Sequence, residues 1–163
     1  TSIFSLLFSE NKNFLERCSK MADFYNFEHK DKQTFLIAAS LKDIGKLAIP
    51  VDILENPNEL IKNEYDIFKS YPYYTKKILD NLMGFSDISK WASRIEETID
   101  GKGYPYELLG KDLSLKDRLM AILSKYQILS HNNKDTVKIM IEMVKNNKLD
   151  KAIVEDVSRE LEY

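Results

Sequence analysis

Few side chains in this sequence are suited to catalysis by type alone. Histidine occurs twice, at His29 and His131, and cysteine once, at Cys18. His29 sits in the polar run Glu28-His29-Lys30-Asp31 and reads as a solvated loop residue. His131 falls at a helix end, where an imidazole meets the terminal carbonyls. Cys18 lies on an apolar helical face and reads as an inert core thiol; alone, it allows no internal disulfide, which fits a reducing cytoplasm. The acidic positions carry more information. Asp43 follows a strongly apolar stretch and has Lys42 and Lys46 as its nearest cations. Its carboxylate can serve as a metal ligand or as an ion-pair partner, and an ammonium beside it repels any cation. Glu96 and Glu97 precede Asp100-Gly101-Lys102-Gly103-Tyr104-Pro105, a glycine-framed loop that carries an aromatic ring. Tyr104 is there either to contact a partner or to pack the turn.

These residues must be positioned by helices. Glycine occurs five times and proline four times in 163 residues, and no segment alternates with period two. Phe14, Cys18, Met21, Ala22 and Tyr25 set a helical stripe over about residues 11–26. Asp31 to Lys42 is apolar on nearly every face, as in a central buried helix, with Gly45 as a left-handed cap and Pro50 barring a restart. A loop is expected from Ile49 to Pro57, then two helices flanking Pro72, the second stopping at Gly84. Ser86 or Asp87 caps the next helix, whose stripe runs Ile88, Trp91, Ala92, Ile95, Ile99. Ser114 and Asp117 form a capping box for a helix through Leu129. Val137 to Val144 marks another helix, and Asp150 caps the last, with Ile153, Val157 and Leu161 inward. The fold class is all-α.

Composition narrows the function. Hydrophobic residues make up 44% and charged residues 31%, as in a globular domain, and the net charge of -2 supplies no basic field for nucleic acid. The apolar run Ile3 to Phe8 is too short to span a bilayer, so no membrane insertion is expected. The chain opens on Thr1 and reads as a segment of a longer protein, with residues 1–9 a connecting helix and 10–163 the domain.

Four segments, in order and in register, resemble one family. Leu41-Lys42-Asp43-Ile44-Gly45-Lys46-Leu47-Ala48-Ile49-Pro50 is similar to L-H-D-I-G-K-x-x-I-P, and Asp100 to Pro105 is similar to D-G-x-G-Y-P. Between them, Ile53 to Leu60 follows I-L-x-K-P-G-x-L, and Leu149 to Val154 resembles F-D-P-x-x-V. This is the pattern of the HD-GYP family, cytoplasmic bacterial domains that hydrolyse cyclic di-GMP with a cluster of two or three iron or manganese ions. The resemblance implies an HD-domain helical bundle with additional helices after the G-Y-P loop. Carried over position by position, the family's metal-site residues fall on Glu10, Lys42, Asp43, Tyr71, Ile95, Glu96 and Ser124, with Glu97 retained. Of the usual ligands only Asp43 survives. The expectation is therefore a degenerate, catalytically inactive member that binds no metal or other cofactor. It would act as a regulatory or protein-interaction module of a signalling protein. Lys102, Tyr104 and Pro105 would meet a protein partner such as a cyclic di-GMP-making domain. Two alternatives stay open: a phosphodiesterase with a rebuilt carboxylate site on Glu10, Asp43 and Glu96, and a non-hydrolysing cyclic dinucleotide receptor using Lys46, Arg94 and Lys102 on phosphate. Ile61 stands where the family usually has a threonine cap, so the following helix lacks a side-chain acceptor.

Overall fold

The computed structural model describes residues 11–84, 86–132 and 135–162. Residues 1–10, with the connecting segment and Glu10, lie outside them. The helices in chain order are α1 (Asn11–Phe24), α2 (His29–Leu41), α3 (Val51–Glu55), α4 (Lys62–Phe68), α5 (Tyr71–Met83), α6 (Asp87–Ser93), α7 (Leu115–His131), α8 (Thr136–Lys145) and α9 (Lys151–Leu161). Short 3-10 turns cover Ile44–Ala48 and Gly110–Asp112. The one β-type pairing among the described residues is a bridge between Asp100 and Leu109. The fold is all-α, as the sequence predicts, and none of the described helices is long and apolar enough to cross a membrane.

The core forms where α1, α2, α5, α6 and α7 meet. Phe14, Cys18 and Met21 of α1 pack with Phe35 and Ala39 of α2, Leu79 of α5, Trp91 of α6, and Leu119 and Leu123 of α7. Met140, Val154 and Val157 extend it under α8 and α9. The caps follow the sequence. Ser86 Oγ accepts the Ser89 N–H, Asp150 accepts the Ile153 N–H, and Ser114 and Asp117 close a reciprocal box. Gly84 ends α5 with φ +72°, a conformation that glycine adopts freely.

Four local expectations need correction. α2 is buried on one face only: Phe35, Ala38 and Ala39 are inside, while Ile37 is 42% exposed. Its apolar run is wider than the surface its neighbours cover. Gly45 is not a left-handed cap, since it lies in the 3-10 turn without positive φ. It is needed because the turn presses on α5, where a Cβ would stand 1.9 Å from the Tyr71 carbonyl and 2.4 Å from the Thr75 nitrogen. The expected loop from Ile49 to Pro57 contains the short α3, which buries Ile53 and Leu54. Finally, α6 ends at Ser93, so Ile95 and Ile99 belong to the following loop although they continue its spacing. Arg94 leaves helical geometry at φ -100°, ψ 17°, and its guanidinium donates to Asp117 at 2.8 Å.

Candidate functional site

The site begins where α2 hands over to the 3-10 turn. Gly45 lets this turn sit on α5, and the Thr75 hydroxyl locks the junction. It accepts the Gly45 N–H at 3.0 Å and faces the carbonyls of Lys42 and Tyr71 at 3.2 and 3.1 Å. Asp43 is thereby fixed between two ammoniums. Lys42 Nζ lies 2.7 Å from one carboxylate oxygen and Lys46 Nζ 3.4 Å from the other. The side chains of Asp43, Lys42 and Lys46 keep only 19%, 13% and 21% of their exposure. Burial pushes the Asp43 pKa up, but the two lysines outweigh it and hold the carboxyl below its ordinary value. Aromatic faces complete the enclosure: Lys42 stands 4.8 Å from the Phe14 ring centre and Lys46 5.1 Å from that of Tyr71.

Tyr71 joins this cluster to the G-Y-P loop. Its hydroxyl donates to Glu96 at 3.3 Å, and burial, then Glu96 and Asp43, keep the phenol protonated well above the usual range. Tyr104 lies near the same carboxylate, and its pKa is also raised, by burial first and then by the charge of Glu96. Lys69 lies 5.0 Å over the Tyr104 ring. Of the two roles open to Tyr104, partner contact or packing of the turn, the half-buried ring beneath Lys69 is compatible with both.

Lys42, Asp43, Tyr71 and Glu96 therefore come together from the mapped set. Ile95 and Ser124 are buried in the interior, and no polar contact among the described residues ties either to Asp43. The expected phosphate-binding trio is not gathered. Lys46 is held at Asp43, Arg94 is spent on Asp117, and Lys102 is exposed on the loop.

Two further residues, the retained Glu97 and the unanticipated Arg118, shape the loop. Glu97, almost fully buried, accepts the N–H of Tyr106 at 3.0 Å and of Leu108 at 2.7 Å. Its carboxylate stands in for backbone partners that an irregular loop cannot supply. Arg118 donates to the Leu113 and Gly110 carbonyls and to Asp150. A glutamate three residues ahead of a glycine loop hints at the first role. The Leu113 and Gly110 carbonyls lie close to Arg118 in sequence, but nothing local hints at Asp150, 32 residues on.

The donor set does not fit the iron or manganese ions that the resemblance implies. Both Asp43 oxygens face ammoniums, and Glu96 already accepts from the Tyr71 hydroxyl. Among the described residues, no group of three or more His, Cys, Asp or Glu is placed to hold a metal ion. An ammonium has no lone pair to give and repels a cation.

Comparison with known proteins sets this geometry in a family. The chain is 26% identical over 160 residues to the 3'3'-cGAMP-specific phosphodiesterase 1 of Vibrio cholerae, covering 93% of this chain and 37% of that protein. It is 30% identical over 122 residues to the cyclic di-GMP phosphodiesterase response regulator RpfG of Xanthomonas campestris, covering 71% and 32%. It is 34% identical over 93 residues to the 3'3'-cGAMP-specific phosphodiesterase 3 of Vibrio cholerae, covering 57% and 20%. The chain thus spans between a fifth and two-fifths of the length of these relatives. With residues 3–153 matching the HD domain family, nearly the whole chain is accounted for, and it belongs to that family.

Proposed function

We propose that this HD domain is a non-hydrolysing regulatory or protein-interaction module of a larger cytoplasmic signalling protein. One observation carries the reading: two ammoniums hold the Asp43 carboxylate where family members would bind metal. Phosphodiester hydrolysis of this type needs a metal-lowered water pKa and a cationic clamp on the phosphate. Lys42 and Lys46 supply positive charge but activate no water, and their own partner neutralises part of it. The scaffold is intact around the cluster, from the Thr75 lock to the Glu97-held loop, which suits a surface retained for recognition. Lys102 is exposed on that loop and Tyr104 and Pro105 are half-buried in it, and these three form the contact proposed for a protein partner such as a cyclic di-GMP-making domain.

A second reading is favoured by the relatives, which are named as cyclic di-GMP or 3'3'-cGAMP phosphodiesterases. It requires Lys42 and Lys46 to leave Asp43, so that Asp43, Glu96 and Glu10 hold a divalent cation through oxygen. One experiment separates the readings. The protein is purified without chelator, its metal content measured, and cyclic di-GMP and 3'3'-cGAMP each offered with added Mn²⁺ or Fe²⁺. The expected result is no stoichiometric metal and no turnover. Turnover that disappears in Asp43→Ala would establish the second reading and overturn the first.

A further inference from the structure

The Asp117 carboxylate, in the first turn of α7, is 1% exposed, and its two oxygens are treated differently. Oδ2 accepts from the Arg94 guanidinium at 2.8 Å and from the Ser114 N–H at 3.0 Å. Oδ1 is buried as well, and no described residue donates to it. A carboxylate oxygen shut away from solvent without a donor is strongly unfavourable, so its donor must come from outside the chain. Asp117 also lines a small cavity of about 10 Å³, together with Arg94, Glu97, Arg118, Lys148 and Asp150. Ala121 and Ile122 line the same cavity from α7.

We propose that this cavity holds a single water molecule, which donates a hydrogen bond to Asp117 Oδ1. Size and charge choose the occupant. The volume is about what one water needs, and it leaves no room for a phosphate or a larger ligand. Three cations and three carboxylates line the cavity, so its charge is balanced without an ion. A bound cation would face Arg94, Arg118 and Lys148, and a bound anion would face Glu97, Asp117 and Asp150. A neutral donor avoids both costs. Arg118 offers the water a second partner. Its Nε donates to the Leu113 carbonyl, Nη1 to Asp150 and Nη2 to the Gly110 carbonyl. A guanidinium carries five N–H groups, so it keeps donors beyond these bonds for the water oxygen. The water then links the arginine that gathers the loop carbonyls to the aspartate that holds Arg94 at the end of α6.

Two measurements on the whole chain test this. A crystal structure at a resolution that shows ordered waters should place one ~2.6–3.2 Å from Asp117 Oδ1, with at least one further polar neighbour. In solution, the Ala121 and Ile122 methyl protons, which do not exchange, should show a nuclear Overhauser effect to water. Its sign should be that of a water held for longer than the molecule takes to tumble. Asp117→Leu should abolish this signal, because leucine removes the acceptor and fills part of the space. A thermal melt shows whether that variant is folded; if it is not, the wild-type signal and the crystal position decide. An empty cavity, a metal ion in place of the water, or Arg118 donating directly to Oδ1 overturns the proposal. So does a wild-type protein without the methyl signal, or a folded Asp117→Leu that keeps it.

Discussion

Replacing Asp43 with alanine removes the shared counter-charge of two ammoniums and leaves both facing Phe14 and Tyr71. Breaking a fully buried pair costs ~3–5 kcal/mol, because the remaining charge is stranded, whereas an exposed pair is worth ~1 kcal/mol or less. The three side chains here retain between 13% and 21% exposure, much closer to the buried limit. Lysine stems are flexible, however, and each ammonium can swing outward to recover part of its hydration. The expected loss is therefore ~2–4 kcal/mol. With a urea slope of about 2 kcal/mol per molar, the midpoint falls by about 1–2 M. A Lys42→Met, Asp43→Asn double variant should lose less than the sum of the single changes, since it removes one of the two stranded ammoniums together with their partner. The acid limb gives an independent measure. A carboxyl whose folded pKa is depressed stabilises the protein above its ordinary value near ~3.9, and that stability is lost as pH falls through the folded value. Asp80 and Asp100 are depressed too, Asp80 by Lys76 and Ser89 against the opposing effect of burial, Asp100 by Lys148 and Thr98. The signal is thus the difference between wild type and Asp43→Asn, which should have the shallower acid limb. A midpoint drop below ~0.5 M, worth about 1 kcal/mol, with an unchanged slope, would refute the buried-pair reasoning.

Other expectations follow from single contacts. Gly45→Ala should cost several kcal/mol, or prevent folding, because its methyl would meet the Tyr71 carbonyl at 1.9 Å; a melt within ~1 kcal/mol of wild type would contradict the close approach. Ile61→Thr should raise stability by ~0.5–1.5 kcal/mol in urea melts. Glu64 already accepts the Ile61 N–H at 3.1 Å, isoleucine offers no acceptor in return, and the side chain is 65% exposed. Glu97→Gln should cost ~1–3 kcal/mol and speed proteolysis near Tyr106, since the amide group turns a donor toward one of two backbone N–H groups. Unchanged cleavage would show that the loop holds its shape without that carboxylate.

The helical class, the cap residues and the pairing of Asp43 with Lys42 and Lys46 were legible because each depends on neighbours within a few residues. Ser86, Ser114 and Asp150 cap where local chemistry says they should. Gly45 illustrates the limit: the residue is recognisable as special, but its reason is a contact with α5 thirty residues away, and sequence suggested a left-handed turn instead. The stripe from Ile88 to Ile99 failed for a related reason. Helical spacing persists through Ile95 and Ile99 because both remain partly or wholly buried, yet the backbone departs at Arg94, which is drawn to Asp117 on α7. For Tyr104, framed by glycines, the sequence leaves partner contact and turn packing both open. Its half-burial beneath the Lys69 ammonium depends on how the loop folds over α4's end, which local sequence does not fix.

The polar ties after the G-Y-P loop bear on how the molecule comes apart. Arg118 holds Asp150, and Asp150 in turn starts α9; Lys148 bonds Asp100 at 2.7 Å while its carbonyl accepts the Ile99 N–H. Loop, α7 and the last helix are therefore anchored to the same few atoms. Segments joined in this way open as one cooperative unit rather than fraying in turn. Amides in the first turn of α9 should then exchange with solvent only when the G-Y-P loop lets go as well, so a pull on the carboxyl-terminal helix is felt at the loop.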